Sequence, residues 1–135
     1  MASLISNSFK LKFNILFCEF DEYQMENPYN TICEIVVDSN GFSGKAEMTV
    51  NYKDLVSFSN NLESMYKTLY GIANIKALDF GIFLNVECNN MGYFNFNGVL
   101  ISEDFQELKF VNALDQTYVK EFVYDLIKEV NSIKR

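Results

Sequence analysis

The chain predicts an α+β fold, mostly antiparallel β-sheet packed with two amphipathic helices, and three observations carry that prediction. Apolar residues alternate with a period of two through most of the sequence. They switch to helical spacing in only two places. The connections between the strand-like runs are of hairpin length. Short turns cannot make the right-handed crossovers that parallel neighbours require, so most strand pairs must be antiparallel. Helices segregated on one face of such a sheet define α+β. The order read from the chain is β-β-β-α-β-β-β-β-α, with about six or seven strands.

The first strand is 9–20, opening on Phe9-Lys10-Leu11-Lys12-Phe13-Asn14-Ile15, an alternation of apolar and polar residues. Polar residues 21–28 end at Pro28, the one proline of the chain, and read as a loop. Residues 29–37 are rich in branched side chains. Asn40-Gly41 follows, a pair that tolerates the positive φ of a tight hairpin. The returning strand sets Phe42, Gly44, Ala46, Met48 and Val50 on one face and Ser43, Lys45, Glu47 and Thr49 on the other. Leu55, Phe58, Leu62, Met65 and Leu69 then step by three and four, one side of a helix. Asn51 is suited to cap its start and Gly71 to end it in a left-handed conformation. Strands are expected at 73–80, 82–88, 93–102 and 105–112, with turns at 89–92 and 103–104. The last helix is expected to begin at Asp115 as its cap. Its stripe is Val119, Phe122, Val123, Leu126, Ile127, Val130 and Ile133, and Tyr118 is expected to pack beside Val119 and Phe122.

Composition bounds the function. With 135 residues, 49% of them hydrophobic, one domain spanning 1–135 is the economical expectation. Eighteen acids against eleven bases give a formal charge of −7, which opposes binding to phosphate backbones and so argues against a nucleic-acid partner. Three cysteines without CxxC spacing read as small buried hydrophobes in a reducing compartment. No signal peptide and no membrane span are read, so a cytoplasmic location is expected.

Catalytic and cofactor chemistry finds little support. With no histidine, Ser-His-Asp and Cys-His nucleophile pairs and the commonest metal ligand are lost, and three cysteines fall short of the four thiolates an all-cysteine zinc site needs. Gly41/Gly44 and Gly92/Gly98 have neither P-loop nor dinucleotide-binding spacing. The carboxylate pairs Glu103-Asp104 and Asp21-Glu22 lie in expected turns, and Cys88 has no histidine to activate it. No enzyme, metal or cofactor is expected.

Surface charge is more informative. Between Phe13 and Gly44 stand Glu19, Asp21, Glu22, Glu26, Glu34 and Asp38 with no base. On the last helix Glu121, Asp125 and Glu129 fall at i, i+4 and i+8, an acidic stripe flanked by Lys120 and Lys128. Like charges at that spacing destabilise a helix by a few tenths of a kcal/mol. The candidate partner-binding residues are therefore Glu121, Asp125, Glu129, Glu19, Asp21, Glu22 and Glu26. Tyrosines 29, 52, 66, 70, 93, 118 and 124 add a second candidate surface, since tyrosine offers an apolar body and a polar tip.

Several phrases of the chain resemble the WapI-type bacterial immunity proteins. They are the strand 29–37 with Gly41-Phe42-Ser43-Gly44, then Asp54-Leu55 with Phe58, Leu62, Leu69, Gly71 and Ala73. Leu108 to Phe110 and Asp115-Gln116-Thr117-Tyr118-Val119 complete the set. The chain departs from the family in lacking the tryptophan often found in its second strand, with Ile32 nearby instead. The resemblance implies a small cytoplasmic protein that neutralises the C-terminal domain of a polymorphic or contact-dependent toxin. Its partner would be a basic, tRNase-like nuclease, bound without chemistry. The alternative is a homo-oligomeric structural or adaptor domain, including a homodimer.

Overall fold

The computed structural model describes residues 1–19, 27–89 and 91–133. Eight strands and two helices follow in the order β1 (Ala2–Ile5), β2 (Phe9–Cys18), β3 (Thr31–Ser39), β4 (Phe42–Val50), α1 (Tyr52–Thr68), β5 (Gly71–Lys76), β6 (Phe83–Cys88), β7 (Tyr93–Ile101), β8 (Glu107–Asp115) and α2 (Lys120–Ile133). The α+β class and the antiparallel pairing hold. Two features of the expectation are corrected. Among the described residues the strands number eight, and they form two four-stranded sheets, β1-β2-β3-β4 and β5-β6-β7-β8, rather than one.

The additional strand is β1. Its four residues bury Ala2 and Leu4 against β2, with Ala2 opposite Phe13 and Ile5 opposite Lys10. Ser6 closes the turn, its amide donating to the Phe9 carbonyl at 2.9 Å and its Oγ accepting from the Phe9 amide at 3.0 Å. Two apolar positions are too few for periodicity to register.

Each strand buries alternate residues on one face of its sheet, which is the pattern the sequence displays. The buried faces meet directly at Phe9, whose ring lies 5.7 Å from that of Phe96 and 5.9 Å from that of Phe110. Elsewhere the helices fill the space between sheets. Phe58 of α1 lies 6.2 Å from Phe13 of the first sheet, and Phe122 of α2 lies 6.4 Å from Phe96 of the second. One hydrophobic cluster thus joins both sheets and both helices. Buried polar groups tie the same seam: Asn112 Nδ2 donates to Ser39 Oγ at 3.4 Å and to the Ser8 carbonyl at 3.5 Å.

Gly98 is obligatory at this seam. A Cβ there would stand 2.3 Å from the Phe83 carbonyl oxygen and 2.9 Å from the Phe110 ring.

Local signals explain most boundaries. Asn51 Oδ1 accepts from the Lys53 amide at 3.0 Å, and buried Asn30 accepts from the Tyr52 amide at 2.7 Å. The left-handed stop of α1 is Leu69 (φ 56°), its amide bonding the Met65 carbonyl at 2.7 Å; Gly71 (φ 131°) instead opens β5. Asp115 does cap, with Oδ1 accepting from the Thr117 amide at 2.9 Å, but it caps a 3-10 turn, and the α-helix starts only at Lys120. Tyr118 leaves 47% of its surface exposed.

Candidate partner interface

The stripe on α2 divides into two environments. Glu121 and Asp125 are exposed, and neither has an ion-pair partner among the described residues. Glu129, expected on the same solvent face, turns inward. Its Oε1 accepts from the Ile15 amide at 2.8 Å, and its Oε2 lies 2.7 Å from the Met1 amino group. The cause lies on β2, where the pairing with β3 shifts register between Ile15 and Phe17. A bulge breaks the ladder and redirects side chains. Phe17, which a period of two would bury, is 52% exposed, and the neighbouring Ile15 amide turns to Glu129. Glu129 therefore holds the chain to itself, and a charge at i+8 did not disclose this because its partner on β2 is 114 residues away.

Of the acids between Phe13 and Gly44, Asp21, Glu22 and Glu26 lie outside the described residues. Glu19 is half-buried, and its Oε2 has no hydrogen-bond partner among the described residues. Glu34 and Asp38 face outward on β3, Glu34 lying 3.7 Å from Lys45 Nζ. The tyrosines divide similarly. Tyr52 is buried and donates to the Val130 carbonyl at 3.1 Å, and Tyr66 lies between Phe94 and Tyr124. Tyr29, Tyr70, Tyr93, Tyr118 and Tyr124 remain about half exposed or more.

Two of the three thiols are sequestered, while Cys18, expected to be buried with them, is only half-buried at the end of β2 beyond the register shift. Cys33 is fully buried, and that burial, with Glu129 and Cys18 nearby, pushes its pKa from an ordinary 9.0 up to about 12. Burial also raises Cys88. A buried thiol held protonated is a poor nucleophile. Among the described residues, no three of His, Cys, Asp and Glu come together as a metal ligand set.

A surface that the sequence did not announce lies where the two sheets part. Beside β4 is an open groove of about 700 Å³, bordered by Lys45, Ala46 and Glu47 on one side. The turns before β6 and after β7 form the other, with Phe80 and Phe105 as walls and Ile82 and Ile101 beneath. Both phenylalanines are exposed, at 67% and 76%, and both adopt left-handed backbone, φ 68° and 65°. A bulky residue there is a genuine outlier, costing about 1–2 kcal/mol. The turns are pinned by backbone bonds: Ala77 to Ile82 at 2.8 Å, Leu78 to Thr49 at 2.9 Å, and Phe105 to Ser102 at 2.9 Å. Spacing signals report buried faces, so two exposed aromatics in turns left no periodic trace.

Over residues 4–134, nearly its whole length, the chain matches the family described as Immunity protein WapI-like family. It belongs to the WapI-like immunity protein family. No curated protein and no solved structure matches the chain. Membership in the WapI-like family gives it a role in immunity to a toxin and implies a cognate toxin as partner. Among the described residues no helix is long and apolar enough to cross a membrane. The WapI-like hairpin phrase Gly41-Phe42-Ser43-Gly44 is the β3–β4 turn and the start of β4. The Asp-Gln-Thr-Tyr phrase is the 3-10 entry to α2.

Proposed function

We propose that this WapI-like protein neutralises its toxin by direct, non-catalytic binding, and that the toxin domain it covers is basic, as the substrate-binding surface of a nuclease is. The carrying observation is the charge distribution on a chain of this family. A formal charge of −7 includes Glu121, Asp125, Glu47, Glu103 and Asp104, exposed and without ion-pair partners among the described residues. Unpaired surface acids add little to folding, while they steer a basic partner toward the surface and raise association rates well above the neutral range of about 10⁵–10⁶ M⁻¹s⁻¹. The protein acts in the cytoplasm, where a nuclease toxin meets its substrate, as a single domain that needs no cofactor.

Co-expression tests this. Cells making the toxin domain encoded beside this protein should recover growth when the protein is made with it, and the two should co-purify. Absence of both rescue and co-purification would end the proposal.

A further inference from the structure

Excess acid is spread over the molecule, whereas shape, strain and unpaired backbone coincide in one place, the groove beside β4. We propose that the free edge of β4 accepts an extended segment of the toxin domain as a fifth strand of the first sheet, a segment alternating apolar residues with Lys or Arg. This rests on the immunity reading above and adds to it the surface and the pattern recognised.

Three observations converge. The first is the hydrogen-bonding phase of β4. Its hairpin with β3 has a two-residue turn, Asn40-Gly41, both at positive φ, and Ser39 faces Phe42 across it. The residues flanking such a turn form a hydrogen-bonded pair, and bonded and non-bonded pairs then alternate along an antiparallel ladder. Phe42, Gly44, Ala46, Met48 and Val50 therefore bond β3. The amides and carbonyls of Ser43, Lys45 and Glu47 point away from it. The Leu78 amide donating to the Thr49 carbonyl at 2.9 Å agrees with that phase and closes the edge at that end. Among the described residues, the backbone of Ser43, Lys45 and Glu47 has no hydrogen-bond partner on this side. An unpaired edge is a template for another strand, which natural proteins otherwise cover or blunt.

The second observation is shape. A strand added here would send alternate side chains inward, toward Ala46, Ile82 and Ile101 and between Phe80 and Phe105. Two exposed phenylalanines stand at strained φ where neither packs inward, and such strain collects at binding sites.

The third is charge. On the outer face Glu47 stands directly opposite Glu34 of β3, a like-charge pairing that destabilises a sheet. Lys45 answers Glu34, at 3.7 Å, leaving Glu47 with no cation among the described residues. Glu103, Asp104 and, in the turn of Phe80, Asp79 are also acidic and exposed. A lysine or arginine on the outward positions of the added strand would supply what Glu47 lacks. A second copy of this chain is a poorer occupant, because it would bring the same acidic turns to the same edge.

The test uses the full chain and the toxin domain encoded beside it. Lys45→Pro removes one outward amide without touching the β3 ladder, and Glu47→Lys reverses the unmatched charge. Each should weaken binding about tenfold or more, the usual loss for one interfacial hydrogen bond or charge contact. Circular dichroism should stay unchanged. In hydrogen exchange, the amides of Ser43, Lys45 and Glu47 should gain protection when toxin is added. If the unsubstituted protein binds but both variants bind equally well and those amides stay unprotected, the strand proposal falls and the immunity reading stands. If the unsubstituted protein does not bind at all, both fall. A β4-dependent homodimer that toxin leaves intact would also overturn it.

Discussion

Glu129, Cys33 and Gly98 show what single residues do in this molecule. Glu129 gives its carboxylate to Ile15 and the chain start, so removing it leaves the Ile15 amide unanswered. Glu129→Ala should lower stability by about 1–3 kcal/mol in urea unfolding, while Glu129→Gln, which still accepts from Ile15, should lose less. Cys33 imposes a pH limit. Its folded-state pKa of about 12 lies above the ordinary 9.0, so its contribution is fully present below pH 9 and is lost as pH rises from 9 toward 12. The melting temperature should fall over that range, and Cys33→Ser should flatten the fall. Gly98→Ala forces a methyl onto the Phe83 carbonyl and should cost about 1–3 kcal/mol, read as a drop in Tm. At this scale the sequence is legible where chemistry is local: Asn51 as a cap, Asn40-Gly41 as a turn. It is opaque where a residue answers a distant one. Glu129 reads as surface because its spacing is helical, and only the β2 bulge reveals otherwise.

Elements were legible in proportion to their periodicity. β3, β4 and α1 each display a long run of clean pattern and a turn or cap signal, and they lie close to where the spacing puts them. β1 has two buried positions, and β8 lies at Glu107–Asp115 rather than 105–112, because Phe105 belongs to a left-handed turn that precedes the strand. That turn makes a prediction of its own. Phe105→Gly removes an exposed side chain from a conformation glycine adopts freely, so it should raise Tm by a few degrees while weakening toxin binding. A loss of stability would mean that Phe105 serves the fold. The left-handed residue ending α1, Leu69, shows why glycine alone does not locate a helix stop: the half-buried leucine is held by packing against the core.

The whole molecule departs from the expected single sheet because local alternation says which face of a strand is buried, not which sheet it joins. Phe9 alternates equally well in either arrangement; its ring contacts with Phe96 and Phe110 are what set two sheets face to face. The candidate interface was legible as excess acid and not as a place. Net charge adds over the chain, whereas the groove is made by β4, two turns and the parting of the sheets. At this scale charge predicts kinetics. Reversing Glu121 and Asp125 together should slow association with the toxin domain and flatten its dependence on ionic strength, measured by stopped flow at low and high salt. An unchanged rate would remove α2 from the encounter surface.

The central claim is neutralisation by binding rather than by chemistry, and a stoichiometric titration tests it most directly. Adding this protein to a fixed amount of its toxin domain should abolish toxin activity linearly, reaching zero at one molecule per toxin, with full activity regained when the complex is separated under denaturing conditions and the toxin refolded. Inactivation by far less than one equivalent, or a toxin permanently altered after separation, would contradict it.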